Sequence, residues 1–466
     1  MSSVQSSRTR YVVLAVACIQ LSLLLCSVLT FNATFVTLVR LDLSPLYPAY
    51  INGSLPDPDW DSTELALSDR RFAWTPVEKM LIFAFTYGGA LAGVQPIVII
   101  NRMIGAHITM TVLGFVGAVT TVITSFAFMW PFWILIVLRF ITGITFGCLF
   151  TVSGVLVRDW APLGERGIFV AVLTGHVELA ALIAMPVGAQ LATHLGWAYT
   201  YWIFGGAVFI STCVWAVLFR DDPSTHRLIT AAEVEMIRDG KGTSTVIAPT
   251  PYRAIFKDAT VWSAWLSVFG VFHVMQYTMT WAPVYMSQCL GYSPLTAGLL
   301  MVPALLGQLL VKFFTGLLSD KITFVTERKK LQFFNSFGMI SCAVLFALLA
   351  VTKPTGGAWD LILALAPITL LGFHSAGYPK CLVLVARQYA PFVMSVVQMF
   401  ACGTMMLGAF IVPLMTPENS FDNWSTVFAL YAIVLMVTNT LFVLFARSMP
   451  AMWTAESIES CSSETV

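Results

Sequence analysis

The chain has 466 residues, of which 58% are hydrophobic and only 11% charged, whereas soluble domains carry about 25% charged residues. A mean hydropathy of +0.82 over the whole length indicates repeated membrane spans rather than one anchor. The net charge of +1 offers no basic excess for a nucleic-acid partner. No CxxC pair is present, so neither a zinc site nor a disulfide framework is expected.

Twelve stretches are apolar enough to cross a membrane, which takes about 20 residues each. They cover residues 11–39, 77–98, 108–130, 133–157, 168–192, 197–219, 261–283, 295–318, 331–351, 359–379, 391–414 and 425–447. The first follows Arg8 and Arg10 and is too long for a signal-peptide core, so we predict a retained span. The pattern predicts an all-α integral membrane protein.

Two longer polar stretches, 40–76 and 220–260, interrupt the spans, and the second divides them six and six. We therefore predict an N-terminal six-helix bundle (1–219), a linker (220–260), a C-terminal six-helix bundle (261–448) and a tail (449–466). The tail is polar and is predicted to be disordered. No obligate protein partner is evident.

Lysine and arginine are concentrated in the segments on one side of the predicted spans. The positive-inside rule then places both termini and the linker in the cytoplasm. The 40–76 loop lies on the extracellular or lumenal side and carries "NGS" at Asn52, a predicted glycosylation acceptor. A plasma membrane and an intracellular vesicle membrane both fit this arrangement.

An internal repeat relates the two halves. "VLVRDWAPLGERG" (155–167) and "VLVARQYAPFVMS" (383–395) both open on Val-Leu-Val and both contain an aromatic residue followed by Ala-Pro. The first lies between spans 4 and 5, and the second between spans 10 and 11. Two repeated bundles around a central site are typical of transporters that work by alternating access.

Arg139 lies inside span 4, in "LRFITGITFGCLF". A cation at this depth costs about 2.5–3.5 kcal/mol or more unless it faces protein or water. Positions 139, 143 and 147 share a helix face and are Arg, Gly and Gly, with Thr142 beside them, which indicates a helix contact or a cavity lining. A buried guanidinium can hold a carboxylate or phosphate; the structural alternative is an ion pair with span 5, where the candidates are Glu178 and His176.

Other polar residues within the spans have open roles. Glu178, with His176, is a candidate for the group that binds a coupling proton, and the alternative is a helix-end residue that pairs with a neighbour. Lys312 is predicted to snorkel from span 8 towards the membrane surface. Residues of span 7 are candidates for a cavity lining or for helix–helix hydrogen bonds: His273, Gln276 and Tyr277.

The segment "GLLSDKITFVTERKK" (316–330) follows span 8 on the predicted inner side. Gly316 would allow close helix packing, and Asp320 at the helix end could pair with the bases across the turn, Arg328 and Lys329. Such a pair would hold an inner gate closed. The alternative is a solvated loop that only carries positive charge.

These features resemble the major facilitator superfamily, and within it the anion–cation symporters of solute carrier family 17, which include sodium/phosphate cotransporters, sialin and vesicular glutamate transporters. The resemblance runs from about residue 72 to 452. It is carried, in order, by "FAWTPVEKMLIFAFTYGG", "RFITG", "DWAPLGERG", "IAMPVGAQLATHLGW", "DDPSTHRLITAAEVEMI", "PYRAIFKDATVWSAW", "WAPVYMSQCLGYSP" and "GLLSDK" with "ERKK".

The resemblance implies the major facilitator fold and a solute contact for Arg139. Several expected residues are replaced. Thr30, with Asn32 nearby, stands where an arginine is common in span 1, Phe146 where span 4 often has a glutamate, and Gln276 beside Tyr277 where span 7 has a tyrosine. The first-half gating motif lacks its glycine pair in "PIVIINRMIGA". We therefore include Thr30 and Asn32 among the candidate solute contacts.

The predicted function is secondary active transport of a small organic anion or inorganic phosphate, with Na+ or H+ as the coupling ion and no other cofactor. No Walker A sequence or nucleophile–base arrangement is present, so an ATP-driven pump and an enzyme are not expected. Two alternatives stay open: a transporter of a neutral or cationic solute, and a transporter-like sensor or scaffold that no longer moves a solute.

Overall fold

The structure, a computed structural model, describes residues 8–54, 65–162, 165–239, 250–322, 324–418 and 420–454. All regular secondary structure within these ranges is helical. Ten of the described helical segments are long and apolar enough to cross a membrane.

The first part of the chain forms α1 (Thr9–Val39), α2 (Tyr47–Ile51), α3 (Pro76–Ala127), α4 (Phe132–Phe146), α5 (Leu149–Trp160), α6 (Arg166–Thr174), α7 (His176–His194) and α8 (Trp197–Leu218). The second part forms α9 (Ala231–Arg238), α10 (Tyr252–Ile255), α11 (Ala259–Gln276), α12 (Ala282–Gln288), α13 (Pro294–Lys321), α14 (Glu327–Val351), α15 (Ala358–Leu371), α16 (Tyr378–Ala386), α17 (Ala390–Met415) and α18 (Phe421–Phe445).

Helix α3 contains both span 2 and span 3. The chain reverses direction at Gly105, and the residues on both sides of this glycine are helical. Gly105 has φ +85°, and a Cβ there would lie 2.3 Å from the Asp221 carboxylate. Asp221 accepts a hydrogen bond from the backbone N–H of His107 at 3.0 Å and so caps the second arm. With α3 counted twice, and with span 7 formed by α11, a π-turn and α12, the ten segments make the twelve predicted passes.

Three spans predicted as continuous are broken in the structure. Span 4 is interrupted between α4 and α5, span 5 between α6 and α7, and span 10 by a 3-10 segment, Gly372–Ala376. The interruptions fall at Gly147, Gly175 and Gly372, each a residue with low helix propensity. Spans 4 and 10 are equivalent in the sequence repeat, so the two breaks lie at corresponding places.

Helices of the first part pack mainly on each other: α1 on α7 and α8, and α3 on α4 and α8. In the second part α14 and α11 pack on α18, and α11 also on α17. Two large contacts join the parts, α3 with α17 and α7 with α13. The two groups of helices therefore meet mainly along these two contacts.

Both described chain ends lie on the face that holds the linker, which we name the terminal face. The Thr9 N–H donates to Glu233 of α9 at 3.3 Å, and the Trp453 indole N–H donates to Asp258, next to α11, at 3.1 Å. Arg10 pairs with both Glu165 (2.8 Å) and Glu233 (3.0 Å). The hydrogen bond from Arg10 holds the pKa of the Glu165 carboxyl below its usual range.

Candidate functional site

Arg139 lies in α4 with only 2% of its surface exposed. Its guanidinium carbon is 4.6 Å from the centroid of the Phe31 ring, a cation–π contact with α1. Among the described residues it makes no ion pair, and its Nε has no hydrogen-bond partner. A buried cation without a counter-ion is strongly unfavourable, so this position is suited to an anion from outside the chain.

Two further buried donors without a partner among the described residues surround the same aromatic cluster. The Tyr87 hydroxyl lies near Thr280, Asn32 and Arg139, but without hydrogen-bond geometry to any of the three. The Trp281 indole N–H is also unpaired, and its ring lies 5.4 Å from that of Phe83, which in turn contacts Phe31. Because an indole N–H and a guanidinium can only donate, the unpaired groups all fit an acceptor such as a carboxylate or phosphate oxygen.

Small residues place Arg139 at this point. A Cβ at Gly143 would lie 1.9 Å from the Thr86 carbonyl oxygen, and one at Gly89 would lie 2.0 Å from that of Phe140. The glycines that follow Arg139 therefore pack α4 directly against the backbone of α3. Of the two predicted roles, they form a helix contact and do not line a cavity. This contact fixes the depth and direction of the arginine.

The predicted solute contacts on α1 and α4 are only partly available. The Thr30 hydroxyl donates to the Cys26 carbonyl at 2.7 Å, and the Thr142 hydroxyl donates to that of Leu138 at 2.9 Å. Both hydroxyls are thus used within their own helices, as is common for threonine in a buried helix. They shape the region around Arg139 without presenting a free donor.

Asn32 joins the two parts of the chain beside Arg139. Its amide donates to the Met279 carbonyl at 3.0 Å and to the Thr280 hydroxyl at 2.8 Å, both in the π-turn of span 7. Pro283 has no N–H, so it cannot bond the carbonyl four residues earlier, and the Met279 oxygen stays available. Asn32 therefore contacts the opposite half rather than open space.

The three residues of span 7 that were candidates for a cavity lining make contacts elsewhere. The rings of His273 and Tyr277 pack in an aromatic cluster with Tyr431, and the Tyr277 hydroxyl donates to the Ala364 carbonyl at 3.1 Å. Gln276 donates to the Met405 carbonyl of α17 at 2.7 Å. The structure thus does not bring these residues to Arg139, and in this conformation they are core residues of the second part.

Glu178 pairs with Lys312, and not with Arg139. The Lys312 ammonium lies 3.0 Å and 3.1 Å from the two carboxylate oxygens, and it also donates to the Thr174 carbonyl at 3.2 Å. The side chains are 13% and 1% exposed, so the prediction that Lys312 snorkels to the surface is wrong. The lysine reaches across to α7 because a buried carboxylate there attracts it more strongly than the membrane surface does.

His176 lies close to this pair but is held by its own segment. Its Nδ1 is 2.5 Å from the Leu173 carbonyl oxygen, and its Nε2 is buried without a partner among the described residues. The ring also contacts Phe150 edge-on at 5.6 Å. The alternative that Arg139 forms an ion pair with Glu178 or His176 is therefore not what the structure shows.

The segment after span 8 differs from the predicted gate. A Cβ at Gly316 would meet nothing within 4 Å, so this glycine does not serve close helix packing. The Asp320 side chain lies outside the described part of the structure, and Arg328 and Lys329 are exposed. The buried base is instead Lys330, which pairs with Glu327 and donates to the carbonyls that end α13, those of Ser319 (3.0 Å) and Ile322 (2.9 Å).

Sequence reasoning did not select the aromatic residues around Arg139. Phe31, Tyr87, Trp281 and Tyr201, whose hydroxyl shares a hydrogen bond with that of Thr34 at 3.0 Å, come from four different helices or turns. Aromatic residues are 13% of the chain, so their presence in a span carries little information. The sequence feature that indicated this region was Arg139 itself, a charged residue inside a span.

Comparison with known proteins agrees with this architecture. Sialin of Ovis aries is 24% identical over 391 residues, covering 82% of this chain and 78% of the relative. Sodium-dependent phosphate transport protein 3 of Mus musculus is 22% identical over 393 residues, covering 83% of this chain and 81% of the relative. The expected resemblance to the anion–cation symporter branch is confirmed by these relatives.

Two solved structures share the fold. A bacterial homolog of the human lysosomal transporter Spinster, in an inward-facing and unoccupied conformation, superposes with a TM-score of 0.63 at 14% identity, covering 95% of this chain and 98% of that one. A D-xylose–proton symporter gives a TM-score of 0.66 at 16% identity, covering 94% and 98%. The predicted twelve-span, two-bundle architecture is thereby confirmed.

The family model described as Major Facilitator Superfamily matches residues 21–409, well over half of the chain. This family consists of membrane transporters and not of enzymes, as predicted. The chain is a multi-pass membrane protein of the Major Facilitator Superfamily.

Proposed function

We propose that this transporter carries a small organic anion or inorganic phosphate by alternating access, driven by Na+ or H+. The single observation that carries the proposal is the buried Arg139 guanidinium, which has no anionic partner among the described residues. The unpaired donors of Tyr87, near Arg139, and of Trp281, in the same aromatic cluster, favour the same class of solute. The names of the relatives that transport phosphate support it further.

The two alternatives fit this site less well. A cationic solute would meet the positive field of Arg139 with no carboxylate beside it among the described residues, since Glu178 is occupied by Lys312. A sensor or scaffold without transport would keep anion binding but lose uptake. Transport measurements therefore separate the three functions.

We also propose how the chain is oriented in the membrane. The positive-inside rule favours a cytoplasmic terminal face, with both termini and the 220–260 linker inside, in a plasma or vesicle membrane. The halves 1–219 and 261–448 would then rock about the Arg139 region, with the tail 449–466 in the cytoplasm. Asn52, exposed at the end of α2, would face the extracellular or lumenal side as a glycosylation acceptor.

The test is uptake by the purified full chain in proteoliposomes. The panel contains inorganic phosphate, gluconate, glutamate and a quaternary ammonium cation, each with and without a Na+ gradient and at two pH values. Arg139→Gln is expected to lower anion uptake about tenfold to a hundredfold, because one charge-assisted contact contributes about 1.5–3 kcal/mol. Arg139→Lys, which keeps the charge but not the paired hydrogen bonds, is expected to retain part of the uptake.

Arg238→Gln is the matched control, because Arg238 forms an exposed pair with Asp222 on the terminal face, far from the site. Its uptake is expected to equal that of the wild type. Uptake of the quaternary ammonium cation, or anion uptake that is unchanged in Arg139→Gln, would overturn the proposal.

A further inference from the structure

A buried glutamine of α17, outside the group of residues around Arg139, has one polar end without a partner. Gln398 is fully buried, and its Nε2 donates to the Cys402 thiol at 3.0 Å, one helical turn further along α17. Its Oε1 has no hydrogen-bond partner among the described residues. An unpaired buried amide group is unfavourable inside a span, so this end of the side chain is suited to a polar group from outside the chain.

The Gln398 side chain points towards the interior of the protein. Leu407 and Leu414 are exposed and mark the face of α17 that is turned away from the other helices. With 3.6 residues per turn, Gln398 lies on the opposite side of the helix, together with Cys402 and Ala409, which are both fully buried. Gln398 therefore faces the helices of the protein and not the lipid.

Contacts between α17 and α3 bring this side of α17 to the Arg139 region. A Cβ at Gly88 of α3 would lie 3.5 Å from the Met406 sulfur of α17, within one of the two large contacts between the parts of the chain. One turn away on α17, Cys402 lies near Tyr87, whose hydroxyl is one of the unpaired donors near Arg139. The thiol thus stands between the Arg139 region and the amide of the glutamine.

Gln398 lies closer to the terminal face than these neighbours. Helix α17 begins at that face, where the Tyr389 ring packs on that of Trp453 at 5.8 Å. The glutamine is therefore one turn, about 6 Å, nearer to the terminal face than Cys402. A solute whose anionic group lies against Arg139 would have to extend past Cys402 to reach it. Inorganic phosphate is too short for this, whereas an organic anion with a chain of several carbons is long enough.

The amide of Gln398 is suited to a hydroxyl group. Because the Cys402 thiol can both donate and accept, the amide can turn over and present either its oxygen or its NH2 group to the same side. A hydroxyl group also donates and accepts, so it can pair with the amide in both orientations. A carboxylate could pair only with the NH2 group, and an ammonium only with the oxygen.

We propose that Gln398 is a specificity-determining residue that hydrogen-bonds a hydroxyl group of the solute while Arg139 binds its anionic group. The inference rests on the proposed transport of an anion and narrows the solute to an organic anion with a hydroxyl several atoms from its charge. Such a solute would contact both parts of the chain at once, α4 and α17. A solute without the hydroxyl would leave the amide unpaired, which is how a site built for a hydroxyl rejects it.

The test compares two six-carbon anions, gluconate with hydroxyl groups and hexanoate without them, and inorganic phosphate. Dissociation constants are measured by isothermal titration calorimetry on the purified full chain in micelles, so the result does not depend on transport. In Gln398→Leu, gluconate is expected to bind about twofold to tenfold more weakly, as for the loss of one neutral hydrogen bond. Hexanoate is expected to bind equally or more tightly, because leucine leaves no amide unpaired. Phosphate binding is expected to be unchanged, because phosphate does not reach position 398.

Gln20→Leu is the matched control. Gln20 is likewise fully buried with an unpaired Oε1 among the described residues, but it joins α1 to α8, where its Nε2 donates to Thr212 at 2.9 Å. It is expected to leave the ratio of the gluconate and hexanoate dissociation constants unchanged. If Gln398→Leu does not fold, Gln398→Met replaces it. Equal weakening of all three anions at position 398, no weakening of gluconate, or the same change of ratio in Gln20→Leu would overturn the proposal.

Arg139→Gln separates this inference from the proposed function, because it is expected to weaken the binding of all three anions. If it leaves all three unchanged while Gln398→Leu still weakens gluconate alone, the proposed anion site fails and the hydroxyl contact of Gln398 stands. If it weakens all three and Gln398→Leu also weakens them equally, the anion site stands and the specificity role of Gln398 fails. A wild type that binds none of the three anions would overturn both.

Discussion

Gly143 offers a sharp test of how α4 is held against α3. Replacing it by alanine would put a Cβ 1.9 Å from the Thr86 oxygen and 2.8 Å from the Thr86 carbon, both backbone atoms that cannot rotate away. Overpacking of this kind costs about 1–3 kcal/mol, partly offset by up to about 1 kcal/mol from the better helix propensity of alanine. We expect Gly143→Ala to lower the free energy of unfolding by about 2 kcal/mol.

Gly206 in α8 is the matched control, because a Cβ there would meet nothing within 4 Å. Gly206→Ala is expected to be neutral or to raise the free energy of unfolding by up to about 1 kcal/mol. Both values can be measured by equilibrium unfolding in mixed micelles with increasing SDS, followed by the fluorescence of the 14 tryptophans. If Gly143→Ala proved as stable as Gly206→Ala, the direct contact of α4 with the α3 backbone would be refuted.

The remaining predictions concern an ion pair, a carboxyl group and a modification site. Lys312→Met is expected to destabilise the chain by about 3 kcal/mol, because it strands the buried Glu178 carboxylate, and adding Glu178→Gln is expected to recover most of the loss; additive losses in the same unfolding assay would contradict the pair. Since the pKa of Glu165 is lowered by Arg10, their contact stabilises the fold above the ordinary carboxyl pKa and is lost as the pH falls through the lowered value. The stability difference between the wild type and Glu165→Gln is thus expected to shrink below about pH 4, and a constant difference would refute the role of the contact. Asn52→Gln is expected to abolish the mass lost on glycosidase treatment of the chain from eukaryotic cells, and an unchanged loss would place the glycan elsewhere.

The fold was largely predictable because membrane spans follow from local composition. Length and hydropathy located the twelve passes, and the repeat around the two Ala-Pro sequences indicated their division into halves. Helix breaks were not predicted, since Gly147 and Gly175 are not the only glycines of their spans: span 4 also contains Gly143 and Gly154, and span 5 also contains Gly188. The reversal at Gly105 also depends on the distant Asp221, whose capping contact with His107 has no local signature.

The site was predictable only in part. Arg139 stood out because a cation in a span is rare. That Arg139 has no anionic partner among the described residues could not be read from the sequence, because Glu178 is paired with Lys312, 134 residues away. In span 7 the sequence could not separate solute contacts from core residues: residues 270–287 are all buried, so no exposed face distinguishes His273 or Tyr277 from the core.

Helix α9 is fixed to the first part of the chain, because the buried Glu233 carboxylate accepts from the N–H groups of Thr9 and Arg10. A fluorophore on α9 would therefore move with the first part of the chain, and its distance from a dye on α18 would report any movement between the two parts in single molecules.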